Sequence, residues 1–293
     1  MSAQTDRDRI LILILGALMA FGPLSIDLYL PSFPLIAARF SVSPARVELS
    51  LASFFIGLAL GQLLYGPLSD RLGRRPTVLL GLSIYAIASM ACAFAQSLEF
   101  LIIARFIQAI GACAGIVVTR AVVLDRFDAK ESARVFSMLM LVMGAAPILA
   151  PLIGGAVSQF AGWRALFGML AVTSLICLVA VFRLLPETRH ISSEIPGSFQ
   201  VLRDRGFVGH ALSGGLAYAG MFAYITGSSF VFIEVFGIPS HHFGWVFGTN
   251  AAALIASSQL NRKLLLKREV KWVLRRAFLS LALAGSFLAV GGI

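Results

Sequence analysis

Charge is what this chain has least of. Asp and Glu number 14 and Lys and Arg 24 among 293 residues, 13% of the chain, where a soluble domain carries about 25%. Hydrophobic residues make up 58%, and mean hydropathy is +0.89. So few charges cannot solvate so much apolar surface, which excludes a soluble fold. The same scarcity excludes a disordered chain, and it leaves the +10 net charge without a polar surface on which to track phosphates, so nucleic acid is not an expected partner. Cysteine is scarce too. Cys92, Cys113 and Cys177 lie in apolar runs with no CxxC spacing and no nearby His, which excludes a metal site or disulfide framework and leaves small core residues. HExxH, GxxxxGK[ST] and GxSG are absent, so no hydrolytic or ATP-binding constellation is visible and an enzyme is not expected.

Long apolar runs are abundant. A bilayer core about 30 Å thick needs about 20 residues of helix, and nine runs qualify: 10–30, 49–68, 76–95, 100–119, 135–159, 163–182, 207–233, 243–260 and 277–293. They are continuously apolar, whereas a barrel would show alternating segments of about ten residues. The chain reads as an all-α polytopic membrane protein. Arg7 and Arg9 precede the first run as in a signal peptide, but no small-x-small cleavage site follows and more spans do, so the run is read as retained. Of the 24 Lys and Arg, 20 fall at the N-terminus or in loops after even-numbered spans; Arg39, Arg46 and Arg164 fall on the other side and Arg105 inside a span. That bias places the N-terminus in the cytoplasm. The longest polar connection divides the chain into a six-helix bundle, 1–182, a cytoplasmic loop, 183–206, and three further helices, 207–293. Gln259-Leu260-Asn261-Arg262 weakly repeats the end of span two, as coincidence or as the mark of two parallel halves.

Asp27 is the one carboxylate deep in an apolar run, flanked by Pro23 and Pro31. A buried carboxylate either holds a proton or finds a cation; alternatively Asp27 is solvated at the outer interface. Arg105 shares a helical stripe with Gln108, Gly111, Ala112, Gly115 and Thr119, a polar, small-residue face toward a cavity or a neighbour; alternatively it only pins helices. Between spans two and three, Gly66 to Pro76 form a tight loop in which Gly73 permits a left-handed turn, Pro76 can open a helix and Asp70 can pair locally, with Arg71, Arg74 and Arg75 as anchors. Tyr29, Tyr218, Met221, Phe222, Tyr224 and Phe230 are candidates to line a broad apolar cavity, or else face lipid or core; Asn250 and Gln259 are polar cavity candidates. His210, His241 and His242, at span edges, read as interfacial.

The run from Gly66 to Arg75 resembles the signature loop of the major facilitator superfamily, G-x-L-S-D-R-x-G-R-R, at every specified position. Leu101, Arg105, Gln108 and Gly111 are similar to the fourth-helix motif of its proton-coupled members. Gly144, Pro147, Pro151, Gly154 and Gly155 are similar to the antiporter motif of its drug exporters, with Ala150 where that motif has Gly and Pro147 as an extra proline. Ile26-Asp27-Leu28-Tyr29-Leu30-Pro31 and Leu185-Pro186-Glu187-Thr188 resemble the bicyclomycin-resistance branch of the drug:proton antiporters. The resemblance implies a major-facilitator fold with a complete N-terminal and an incomplete C-terminal bundle, in the bacterial inner membrane, as a monomer. It implies efflux of small lipophilic drugs, bicyclomycin- or chloramphenicol-like, in exchange for protons, with no cofactor beyond the proton gradient. Asp27 would carry the proton and Arg105 tune it. Asp70, Arg71 and Arg74 would form a cytoplasmic latch with Asp125 as ionic partner. Pro147, Pro151, Gly154 and Gly155 would bend span five and pack it closely on the opposite half. Tyr29, Gln108, Tyr218, Tyr224 and Asn250 would line the substrate cavity. An importer of a small metabolite is the second transport reading, weakened by the span-five motif.

Because the resembling family has twelve helices and this chain has nine runs, the last of them reaching Ile293 without a polar flank, the sequence also carries the expectation of a C-terminally truncated transporter. Such a chain would insert with an intact first half and export poorly, or stand as an inactive fragment.

Overall fold

The computed structural model describes residues 2–189, 203–265 and 268–291, and every regular element among them is helical. The first span is a broken helix. α1 (Ser2–Asp27) stops where Pro31 has no N–H to offer the Asp27 carbonyl. The backbone tightens there, Tyr29 N donating to the Ile26 carbonyl at 3.3 Å, then passes through a 3₁₀ turn, Leu30–Ser32, into the short α2 (Phe33–Phe40). The predicted span 10–30 therefore extends ten residues further.

α3 (Pro44–Leu72) opens on a proline, whose missing N–H costs nothing at a helix start, and ends at Gly73 with φ +101°. α4 (Arg74–Ala93) follows at once. α5 (Leu98–Arg126) is capped by the Ser97 hydroxyl accepting from Phe100 N at 3.2 Å, and α6 (Ala129–Ala161) by the Asp128 carboxylate accepting from Glu131 N at 2.8 Å. α6 stays one continuous helix through Pro147 and Pro151 and ends at Gly162, φ +78°. α7 (Trp163–Leu184), α8 (Arg205–Ser229, continued by the π-helical Phe230–Val235), α9 (Ser240–Leu265) and α10 (Val270–Gly291) complete the chain.

Among the described residues, seven helices are long and apolar enough to cross a membrane, and they coincide with the first seven predicted spans. The eighth and ninth predicted spans lie on α9 and α10. The helices form two compact units, Met1–Gly248 and Thr249–Ile293. The predicted loop 183–206 falls within the first, with 190–202 outside the described residues. In the second, Arg268 and Arg276 lie 5.2 and 5.4 Å from the Trp272 ring centre.

Within the first unit α5 is the hub. It packs on α3 and α4, and α1 packs on α5, α6 and α7. Small residues let the backbones approach. A methyl at Gly111 of α5 would lie 2.5 Å from Tyr85 N and 2.7 Å from the Gly81 carbonyl of α4, and one at Gly115 would lie 2.7 Å from the Leu18 carbonyl of α1. With no hydrophobic drive between helices in lipid, such close packing is what holds them together. Gly111→Val should therefore lower stability in detergent by about 1–3 kcal/mol or more, whereas Gly168→Ala, at a site open to 4 Å, should change it by no more than about 0.5 kcal/mol in the unfavourable direction. Equal melting temperatures for the two variants would refute the close α4–α5 contact.

Candidate functional site

Asp27 is the last residue of α1, at the break in the first span, and only 3% of its surface is exposed. Among the described residues its carboxyl makes no hydrogen bond and no ion pair. Arg105, read as the residue that tunes it, is fully buried. Its Nη1 donates to Gln108 Oε1 at 2.7 Å and its Nη2 to the Ser25 carbonyl at 2.9 Å. The guanidinium lies against three rings: Phe54 at 4.2 Å, Tyr29 at 4.7 Å and Phe167 at 5.7 Å from their centres. Its Nε is buried with no acceptor. Asp27 and Arg105 thus form no ion pair; the carbonyl of Ser25, two residues before Asp27, takes the hydrogen bond.

A ring of buried polar groups holds this arrangement. Gln108 Nε2 donates to Ser89 Oγ at 2.7 Å, Ser89 Oγ to the Tyr85 carbonyl at 2.7 Å, and the Tyr85 and Ser25 hydroxyls meet at 2.6 Å. Ser25 Oγ spends its only proton on the Phe21 carbonyl, so Tyr85 is the donor in that pair. Tyr29 is anchored in the same way by Ser50, whose own proton goes to the Val47 carbonyl. Gln108 and Arg105 were legible as a helical stripe. Ser25, Tyr85, Ser89, Phe54 and Phe167 were not: nothing in the sequence separates Phe54 and Phe167 from the other 21 Phe.

At the Arg-rich end of the same helices, Arg74 is the centre. Its Nε donates to Asp125 at 2.8 Å and its Nη1 to Asp70 at 2.5 Å and Ser69 at 3.0 Å. Arg71, assigned with them, differs: its side chain is exposed, and its part is a carbonyl that accepts from Arg189 Nη1 at 2.8 Å. Arg75 donates to the Phe182 carbonyl and lies over its ring. Gly66 has open space around it. Gly73 is required, since its φ is positive and a methyl there would sit 2.6 Å from the Glu187 carboxylate.

Glu187, noticed in the sequence only through the Leu-Pro-Glu-Thr resemblance, closes this end. Its carboxylate accepts four backbone N–H groups: Arg74 at 2.8 Å, Arg75 and Thr188 at 3.1 Å, and Arg189 at 3.0 Å. Two of those are donors that the start of α4 leaves unpaired. Burial alone would raise its pKa, but these donors outweigh it and hold the carboxyl below the usual Glu range.

In α6, Pro151, Gly154 and Gly155 are buried and Pro147 half-buried. The expected packing of Gly154 on the opposite half is corrected: a methyl there would collide with the Leu28 carbonyl, at the α1 break within the first six helices. It is Leu152 that meets α9, where a methyl at Gly244 would lie 2.8 Å from its backbone N. The cavity candidates divide as well. Tyr29 and Gln108 are buried around Arg105, whereas Tyr218 and Tyr224 are exposed on α8, in a row with Phe222, which meets Phe55 of α3 at 4.2 Å, and Phe247, which stacks on Tyr224 at 6.1 Å. Asn250 is exposed and belongs to the second compact unit. His210 and His242 are exposed, and the side chain of His241 lies outside the described residues.

A family model for the Major Facilitator Superfamily matches residues 13–293. A Bacillus subtilis protein described as an uncharacterized MFS-type transporter, YdgK, is 38% identical over 265 residues, 87% of this chain and 66% of its own length. A bicyclomycin resistance protein homolog of Haemophilus influenzae is 33% identical over 287 residues, 95% of this chain and 72% of its own. The chain thus spans about two thirds of the length of these relatives. In fold it is similar to the inward-facing, unoccupied structure of a bacterial homolog of the human lysosomal transporter Spinster, with TM-score 0.72 and 19% identity over 88% of this chain and 62% of that one.

The Glu187 carboxylate has a pKa lower in the folded than in the unfolded chain, so its stabilisation is present above the unfolded value, about 4.3, and is lost as pH falls through the lower folded one. Glu187→Gln should lower the melting temperature at pH 7, and the gap to wild type should close as pH drops below about 4. A gap unchanged down to pH 3 would show that the charge at Glu187 holds nothing.

Proposed function

Because the chain belongs to the Major Facilitator Superfamily, we propose that it works as a proton-coupled exporter of small lipophilic, drug-like compounds in a bacterial inner membrane, with the N-terminus in the cytoplasm. The observation that carries this reading is Asp27. A carboxyl buried at a helix break, without hydrogen bond or counter-ion among the described residues, is stable only while protonated, and becomes stable ionised when water or a cation reaches it. Opening that site to alternate sides of the membrane would load and unload a proton at Asp27. Arg105 sits one hydrogen bond from the α1 backbone that carries Asp27. A small shift of α1 would therefore change the field at the carboxyl without any ion pair having to break. The similarity to a protein named for bicyclomycin resistance supports a drug-like cargo. The cation excess at the ends where Arg74, Asp70, Asp125 and Glu187 meet supports a cytoplasmic latch that closes during the cycle. The energy source is the proton gradient, and the working unit is a monomer.

Asp27→Asn should reduce proton-driven drug uptake into everted vesicles by about tenfold or more while leaving the protein in the membrane. Full uptake with normal pH dependence in that variant would remove Asp27 from the mechanism. For Arg105→Ala, the drug-to-proton coupling measured with a pH-sensitive dye should fall more than the amount inserted; unchanged coupling would reduce Arg105 to a packing residue.

A further inference from the structure

At the end of the helices away from Arg74, three arginines gather against the general charge bias: Arg39, Arg46 and Arg164. α2 ends there at Phe40, and α3, α5 and α7 begin there at Pro44, Leu98 and Trp163. A cavity of about 430 Å³ lies here, with Arg39, Ser41, Arg46, Gln96, Ser97 and Glu99 in its wall; small-ligand clefts run from about 300 to 1,000 Å³. Arg46 Nη2 donates to Glu99 at 3.0 Å, but both side chains are more than half exposed, and an ion pair so wet is weak. Arg39 makes no hydrogen bond or ion pair among the described residues, and its guanidinium lies 6.0 Å from the Phe40 ring centre. Arg164, near enough for Arg39 to feel its charge, donates Nη2 to the Ala95 carbonyl at 2.8 Å and lies 4.3 Å from the Trp163 ring centre. Glu48, the other acid near the start of α3, pairs with none of the three among the described residues. Three cations thus face one paired carboxylate. Ser97 Oγ accepts from Phe100 N, which leaves its proton to donate. Guanidinium forks and hydroxyls around uncompensated positive charge suit a phosphate.

The residues one turn deeper decide which phosphate. Leu35 is four residues before Arg39 on α2, Leu49 three after Arg46 on α3, and Ile103 four after Glu99 on α5, so each shares a helix face with a cavity residue. All three are exposed. Because α2 runs toward this end and α3 and α5 run away from it, they lie on the membrane-core side of the polar rim. A charged rim above an exposed apolar flank matches a lipid rather than a free anion.

We propose that this cavity binds the head of an anionic phospholipid of the phosphatidylglycerol kind. Arg39 and Arg46 hold its phosphodiester, and its acyl chains lie along Leu35, Leu49 and Ile103. A zwitterionic head is disfavoured, since its ammonium would face Arg39 and Arg164. A basic side chain at an anionic lipid is worth about fivefold in affinity, so a preference of at least about fivefold is expected.

Trp163 can report on this end, because its ring meets that of Phe40, in the cavity wall, at 5.9 Å. With Trp245→Phe and Trp272→Phe it is the sole tryptophan. That protein, in phosphatidylcholine nanodiscs, receives trace phosphatidylglycerol or phosphatidylcholine carrying bromine on the acyl chains, which quenches indole fluorescence. Phosphatidylglycerol should quench at least about fivefold more per mole. Arg39→Gln should bring that ratio toward one, Arg39→Lys should keep most of it, and Arg134→Gln, exposed near the start of α6 at the opposite end, should leave it unchanged. If Arg39→Gln does not accumulate, the ratio in the parent protein and its loss in Arg46→Gln decide. Equal quenching by the two lipids overturns the proposal. So does a ratio that survives Arg39→Gln, or one that Arg134→Gln lowers as much, since the preference would then be a general effect of charge. Loss of the preference when excess soluble glycerol phosphate is added at constant ionic strength would assign the cavity to a free phosphate and overturn the lipid. None of these outcomes bears on proton-coupled export, which Asp27→Asn tests separately.

Discussion

A guanidinium placed where water cannot reach it obliges its surroundings to replace the lost hydration, and around Arg105 four helices and one turn share that task. α5 supplies Gln108, α1 the Ser25 carbonyl and α3 the face of Phe54; α7 gives Phe167, and the turn after α1 gives Tyr29. Burying an unpaired cation costs several kcal/mol, and no one of these contacts offsets that. Together they do so only if the five elements keep their positions. The close backbone approaches at Gly111 and Gly115 are therefore conditions for the polar cluster, since α4 and α1 must come near enough to α5 for Tyr85, Ser89 and Ser25 to close the hydrogen-bonded ring.

The same helices carry the second charged cluster. Arg105 and Asp125 are both on α5, twenty residues and about 30 Å apart, which is the thickness of a bilayer core. α4 likewise begins at Arg74 and further along supplies Tyr85 and Ser89 to the Arg105 ring. Continuous helices thus join a dry site near one end to a solvent-reached, hydrogen-bonded charged cluster at the other. The charged cluster is built differently because solvent reaches it. Its carboxylates pair directly with Arg74, and Glu187 finds backbone donors at a helix start, whereas the dry end has a carboxyl and a guanidinium that do not pair at all.

Much of the fold was legible because hydropathy and cation bias are one-dimensional signals. The first seven spans appear as helices at their predicted places, and Arg74, Asp70 and Asp125 converge as their motif suggested. What was illegible involves direction. Arg105 was legible as a buried charge on a polar stripe, but which groups it bonds depends on how its helix is rotated and how near the next backbone comes. Arg71 lies in the last turn of α3 and Arg74 opens α4, three residues on, yet only one guanidinium points into the cluster. Gly154 was read toward the far half, and the crossing of α6 over α1 turned it to Leu28.

What the sequence determined by itself was the solvent, the helices and the charge asymmetry across them, since each follows from the number and order of apolar and basic residues along the chain. Proline placement marked where a helix could break, because the missing N–H at Pro31 is a covalent fact, but α6 runs unbroken through Pro147 and Pro151, so packing decided which proline ends a helix. Only the tertiary structure decided that Asp27 stands without a counter-ion among the described residues, that three of many phenylalanines and tyrosines enclose Arg105, and that Glu187 caps α4 from more than 110 residues away. Those depend on the rotation and crossing of packed helices, which backbone-to-backbone contact at small residues sets and no local run of sequence encodes.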